Sequence, residues 1–225
     1  MTQTNNRYCI FFTRNIKKYI ESSLYQLLPE ESLFSELKAI SHHECERWRK
    51  SPLEYLSSKE ALALALHFSI GKEKLHYNHL LFAKVMDYFE RCLRYSKCKK
   101  EIHLANLSLG VVLFEQAVHS ERDKQKGLLS LSKHYLEEAL LYKENTELLF
   151  IYLTLVEVSS GHLSLAIKNL TKASKVSLDP LPIWSMLASI YKNLQMPEVS
   201  EYFLMKVNRL RSFQKKLLKQ SAYSL

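Results

Sequence analysis

The sequence predicts an all-α fold, a right-handed α-solenoid of antiparallel helical hairpins, on the strength of three observations. Glycine occurs only four times in 225 residues, at Gly71, Gly110, Gly127 and Gly161, and the last two stand 34 positions apart, a spacing typical of stacked two-helix units. Apolar residues recur three and four positions apart along most of the chain, the period of a helix with one buried face. Hydrophobic residues make up 47% and charged residues 24%, with only five prolines, which excludes disordered, collagen-like and disulfide-scaffold classes. Arrays of hairpins bury a core between neighbours and leave a curved face open, which favours holding a partner over catalysis.

Along the chain, Phe12, Ile16, Ile20, Leu24 and Leu27 form the stripe of a first helix that ends near Pro29. A second helix is expected from about Glu31 to Lys50. Ser51-Pro52-Leu53-Glu54 then offers a cap, a first-turn proline and a capping-box glutamate, so a third helix is expected to start there, with Ser57 and Glu60 marking a restart inside it. That helix runs through Ala61 to Phe68 and closes at Gly71, whose missing Cβ suits a left-handed terminus. The fourth puts Phe82, Met86, Phe89 and Leu93 on one face and Lys84, Asp87, Arg91 and Arg94 on the other. In all, about ten helices are expected.

From Glu101 onward the pattern repeats. Leu153 precedes Gly161, and Ala166, Leu170 and Ala173 follow it; 34 residues later stand Leu187, Ser200, Leu204 and Val207. The same shift backward from the later three positions gives Ser132, Leu136 and Ala139, with Gly127 at the expected bend. Together with Trp184, Leu187, Ala188 and Tyr191, these positions resemble the tetratricopeptide repeat, in which small residues stand where two helices touch and larger ones fill the gaps. Leu109-Gly110 is similar to the family's Leu-Gly pair, although about ten extra residues, including His119 to Lys126, lengthen that unit. The organisation expected is therefore N-terminal hairpins over 1–100, repeats over about 101–144, 145–180 and 181–211, and a basic capping helix or tail over 212–225.

The resemblance implies a non-enzymatic protein-binding scaffold, an adaptor or chaperone. The family lines its concave groove with four positions of each first helix, here Leu148, Ile151, Leu155 and Val158, then Pro182, Ser185, Ser189 and Lys192. Such a surface takes an extended or helical peptide by its apolar side chains, unless another helix of the chain or a second subunit of a homo-oligomer fills it. The lysine and asparagine that clamp a terminal carboxylate in one version of the family are replaced here by Ile151, Leu155, Ser185 and Ser189, so heat-shock-protein tails are not expected ligands. The three-repeat chaperones of type III secretion are alike in architecture only.

Charge supplies a competing reading. The formal net charge is +9, and Lys206, Arg209, Arg211, Lys215, Lys216 and Lys219 all follow the last acid, Glu201. A basic stripe of this kind attracts RNA or an anionic surface through salt-sensitive forces. The other account makes it an amphipathic cap, with Val207, Leu210, Leu217 and Leu218 shielding the last hairpin and the cations solvated.

Catalysis, cofactors and metals find little footing. Aspartate occurs only at Asp87, Asp123 and Asp179, and no phosphate loop, nucleophile elbow or HExxH is present. His42, His43 and Cys45, or His76 with His79, give no four-ligand zinc pattern. Cys9, Cys45, Cys92 and Cys98 match neither a CxxC pair nor a secreted framework, so reduced thiols in the cytoplasm are expected. Only Cys98, between Lys97 and Lys99, has a setting that would favour its thiolate. No window is apolar enough to span a membrane. The basic start of the chain leaves a mitochondrial presequence as the alternative to a first helix.

Overall fold

The computed structural model describes residues 33, 36–37, 39–40, 42–70, 78–142, 147–177 and 179–222, and the side chains of these except at Ile70, Lys215 and 217–222. The expected first helix and the Gly71 terminus lie outside them. Every regular element among the described residues is helical. The chain divides into two units, Met1–Glu144 and Asn145–Leu225.

In the first unit, α1 spans His42–Arg49, a 3-10 turn spans Leu53–Tyr55, and α2 (Ser58–Ile70), α3 (His79–Tyr95), α4 (Lys99–Val118) and α5 (Arg122–Leu140) follow. The continuous helix expected from Glu31 to Lys50 is not formed, because a turn at Ala39–Ile40 precedes α1. The helix expected to start at Ser51 also begins later. Pro52 leads only into the 3-10 turn, and the restart at Ser57 is the true beginning. There Ser57 Oγ accepts from the Glu60 backbone N–H at 3.2 Å while the Glu60 carboxylate accepts from the Ser57 N–H at 2.8 Å, a reciprocal capping box.

The start of α3 is capped by Asn78, whose Oδ1 accepts from the Leu81 N–H at 3.0 Å. Its buried ridge is Leu81, Val85, Tyr88, Phe89 and Cys92, so of the four residues expected on the apolar face only Phe89 is fully covered. Glu101, in the first turn of α4, receives the hydroxyls of Ser58 at 2.9 Å and Ser96 at 2.6 Å and so ties the start of α2 to that of α4. Helices α4 and α5 pair along their length. Gly110 sets how closely: a Cβ there would stand 2.7 Å from Leu136 Cγ and 3.2 Å from the Ser132 carbonyl oxygen. Gly110→Ala is therefore expected to destabilise the unit by about 1–3 kcal/mol through overpacking. Gly127 instead lies in the interior of α5 with nothing near a would-be Cβ, so Gly127→Ala should stabilise by about 0.5–1 kcal/mol. Urea unfolding of the two variants checks both signs.

That position of Gly127 corrects the sequence reading, which made it an inter-helix bend. The bend falls at His119–Glu121, and the extra residues lengthen both helices of the hairpin instead of the loop.

The second unit holds α6 (Glu147–Ser159), α7 (Leu163–Val176), α8 (Leu181–Asn193) and α9 (Pro197–Ala222), with α6 against α7, α7 against α8 and α8 against α9. Gly161 does occupy a bend, at φ +83°, and Gln195 adopts the same left-handed conformation, φ 57°, 34 residues on. Both turns close alike: His162 N–H donates to Glu157 O at 2.8 Å, and Met196 N–H donates to Tyr191 O at 3.0 Å. This is the hydrogen-bond pattern of a Schellman helix end. The buried Glu157 carboxylate meets His162 Nδ1 at 2.8 Å across the first turn.

The hairpins α4–α5 and α8–α9 share one crossing device. Ser132 Oγ donates to Gly110 O at 2.7 Å and Ser200 Oγ to Ala188 O at 2.8 Å, whereas at the matching pair of the middle hairpin Thr154 Oγ1 gives its proton to Phe150 O of its own helix at 2.8 Å and only approaches Ala166 O, at 3.5 Å. A small hydroxyl at the point of closest approach lets one helix satisfy itself on the backbone of the other. The paired residues stand 22 apart in the first hairpin and 12 apart in the other two, which locates the ten extra residues.

Candidate interaction surface

Helix α6 is apolar on every side. Its residues from Leu148 to Glu157 are all buried, and Leu148, Ile151 and Leu155 are exposed by only 4%, 1% and 2%. Val158 is half-buried. The apolar half of the expected groove is thus already covered and offers no open surface. The polar half is more open: Pro182 and Ser185 are half-buried, and Ser189 and Lys192 are exposed. Yet Ser185 Oγ donates to Leu181 O at 2.9 Å and Ser189 Oγ to Ser185 O at 3.0 Å. Both hydroxyls are engaged by the carbonyls of their own helix.

The open apolar surface lies one helix further on. α8 begins where Asp179 Oδ1 accepts from the Leu181 N–H at 3.2 Å and Pro182 fits the first turn. It turns back at Leu194–Met196, and Pro197 opens α9. The inner side of this hairpin carries Ile183, Met186, Leu187, Ala188, Ile190, Ser200 and Val207, all buried. At its edge Tyr191 stacks on Phe203, ring planes 7° apart and centroids 5.8 Å apart.

On the outer side of α9, Tyr202, Met205 and Phe213 are 49%, 49% and 57% exposed. Steps of three and four residues place them with Arg209 and Lys216 on a single face. Leu204 is 46% exposed, whereas Leu136 and Leu170, its counterparts at 34-residue intervals, are fully buried.

The six cations of the basic patch do not act as one cluster. Lys206 folds back so that its Nζ lies 4.7 Å from the ring centroid of Tyr202 and 5.3 Å from that of Trp184, a cation–π arrangement that covers the aromatic edge of the hairpin. Arg209, Arg211 and Lys216 are exposed, and the side chains of Lys215 and Lys219 lie outside the described residues. Of the residues proposed for a cap, Val207 is buried and Leu210 half-buried.

The first unit has a cleft of about 220 Å³ lined by Leu53, Glu54, Asp87, Glu90, Arg91, Arg94 and Tyr95. Arg91 donates from Nε to Leu56 O at 3.0 Å and from Nη2 to Glu54 O at 2.8 Å, and its guanidinium lies 3.9 Å from the Tyr95 ring centroid. The arginine is thereby a clamp on the 3-10 turn.

Among the described residues no group of three or more His, Cys, Asp or Glu side chains is placed to hold a metal ion. Cys45 is buried away from use as a ligand, His79 is exposed at the start of α3, and His76 lies outside the described residues. Burial pushes the Cys92 thiol up to about 12, with Glu101 adding to the effect, and burial likewise raises Cys45. Cys98 is exposed at the start of α4. Alkylation of the native protein, mapped by mass spectrometry, should label Cys98 quickly and leave Cys45 and Cys92 protected until the chain is unfolded.

No helix among the described residues is long and apolar enough to cross a membrane. Comparison with protein-family models, with curated proteins and with solved structures gives no match to this chain.

Proposed function

We propose that this chain is a non-enzymatic protein-interaction scaffold, an adaptor or chaperone, whose hairpins are members of a right-handed tetratricopeptide-like array. It holds an acidic partner segment on the outer face of its last helix. The repeat reading draws support from the hydroxyl-to-carbonyl crossing found in two hairpins and from the left-handed turns 34 residues apart at Gly161 and Gln195. The functional reading is carried by one observation, the exposed stripe Tyr202, Met205 and Phe213 interleaved with Arg209 and Lys216.

Aromatic and methionine side chains in the open are anchors of the kind that dominate binding energy, and the cations among them select the partner's charge. Between Tyr202 and Lys216 the helix carries no acid, and Glu198, one turn before Tyr202, is the acid at the start of this face, so an incoming carboxylate meets no competitor beside Arg209 and Lys216 on the helix itself. A second copy of the chain would bring cation against cation, which disfavours self-association through the same helix.

Peptide-display selection against the full chain, with single-stranded RNA present as competitor, tests the reading. Enriched peptides should carry acids interleaved with apolar residues, bind the wild type in the presence of RNA, and lose affinity for the Met205→Glu/Phe213→Glu variant. Enrichment of sequences without acids, or a binding that RNA displaces and the variant retains, would remove it.

A further inference from the structure

In the first unit, His42 Nδ1 and His67 Nε2 approach to 3.1 Å, with ring centroids 5.2 Å apart and planes inclined by 32°. We infer that these two imidazoles form a binding site for a divalent transition-metal ion of the nickel, copper and zinc group. The separation fits chelation. An ion about 2.05 Å from each nitrogen sees a 3.1 Å pair at an angle of about 100°, between the cis angle of a square-planar site and the angle of a tetrahedral one.

Two elements supply the pair, His42 as the first residue of α1 and His67 from the last turn of α2. His42 is exposed and His67 half-buried, so the ion would reach the site from solvent and keep water in its remaining positions. In the hydrogen bond one of the two nitrogens carries the proton; a shift of that proton to the ring's other nitrogen frees a second lone pair, and because the imidazole ring torsion is broad, a modest rotation brings both lone pairs onto one point. Nitrogen donors of intermediate softness select this group of ions over magnesium or calcium, which require oxygen ligands.

Glu46, one turn along α1 from His42, does not complete the set, because its carboxylate accepts from Arg49 at 3.1 Å. His43 and Cys45, the neighbours in sequence, are replaced as partner by a histidine 25 residues away. The bound ion would join α1 to α2, and binding to the folded state alone raises thermal stability.

Calorimetric titration of the untagged full chain with nickel(II) and copper(II) tests the site, with the copper absorption band as a second readout. One ion per chain should bind and raise the melting temperature. His42→Ala and His67→Gln should each weaken binding at least tenfold, while His43→Ala should leave it unchanged; circular dichroism establishes that each variant is folded. A wild type that takes up no stoichiometric ion would reduce the pair to a hydrogen bond. Folded His42→Ala and His67→Gln variants that bind as the wild type does would place the ion elsewhere.

Discussion

Replacing Ile151 by glutamate is expected to destabilise the Asn145–Leu225 unit by more than about 4 kcal/mol, the range reserved for charges forced into a core. Ile151 is 1% exposed in a helix whose residues from 148 to 157 are all buried. A carboxylate there must either ionise without solvent or remain protonated at neutral pH, and both alternatives are costly. Folded domains hold only about 5–15 kcal/mol in total, so the variant should be largely unfolded near physiological temperature. Ile151→Val, which removes one methylene without adding charge, should cost only about 0.5–1.5 kcal/mol. Urea unfolding followed by far-ultraviolet circular dichroism separates the two. An Ile151→Glu protein as stable as the wild type would restore Ile151 to an open groove and contradict its place in the core.

The second large effect concerns binding and leaves the fold intact. Met205→Glu/Phe213→Glu changes two exposed side chains on α9, and surface substitutions of this kind typically shift stability by no more than about 0.5 kcal/mol each. Affinity for an acidic partner segment should nevertheless fall at least about a hundredfold, since two apolar anchors are lost and two like charges are placed against the ligand. Leu165→Glu, at an exposed position on α7, should leave affinity unchanged. Fluorescence anisotropy with a labelled selected peptide measures all three proteins. Equal affinities would show that the stripe takes no part.

Particular residues show where the sequence was legible. The bend at Gly161 was readable because a left-handed backbone strongly favours the residue without a Cβ. The identical bend at Gln195 carries no such mark, and only the 34-residue offset from Gly161 points to it. Gly127 sent the reading the other way: its spacing suggested a bend, yet the register that matters is kept by Ser132, Leu136 and Ala139, which are buried ten residues and more beyond the actual turn. A helical period survives an insertion that adds whole turns, whereas a glycine count does not.

The groove was misplaced for a different reason. The run Leu-Leu-Phe-Ile-Tyr-Leu-Thr-Leu-Val in α6 has no polar face, and a helix apolar all round is a buried one. Family positions named Leu148, Ile151 and Leu155 as groove residues, but local composition already said they were core. The stripe on α9 was masked in turn by its cations, which drew attention to charge and away from Tyr202, Met205 and Phe213. The approach of His42 to His67 leaves no trace in sequence, because 25 residues and a turn separate them.

The most direct test of the account is a hydrogen-exchange footprint of a selected acidic peptide on the wild-type chain. Slowed exchange is expected along α9 between Pro197 and Lys216, with α6 between Glu147 and Ser159 unchanged. Protection of α6 with α9 unaffected would contradict it and return the binding site to the covered groove.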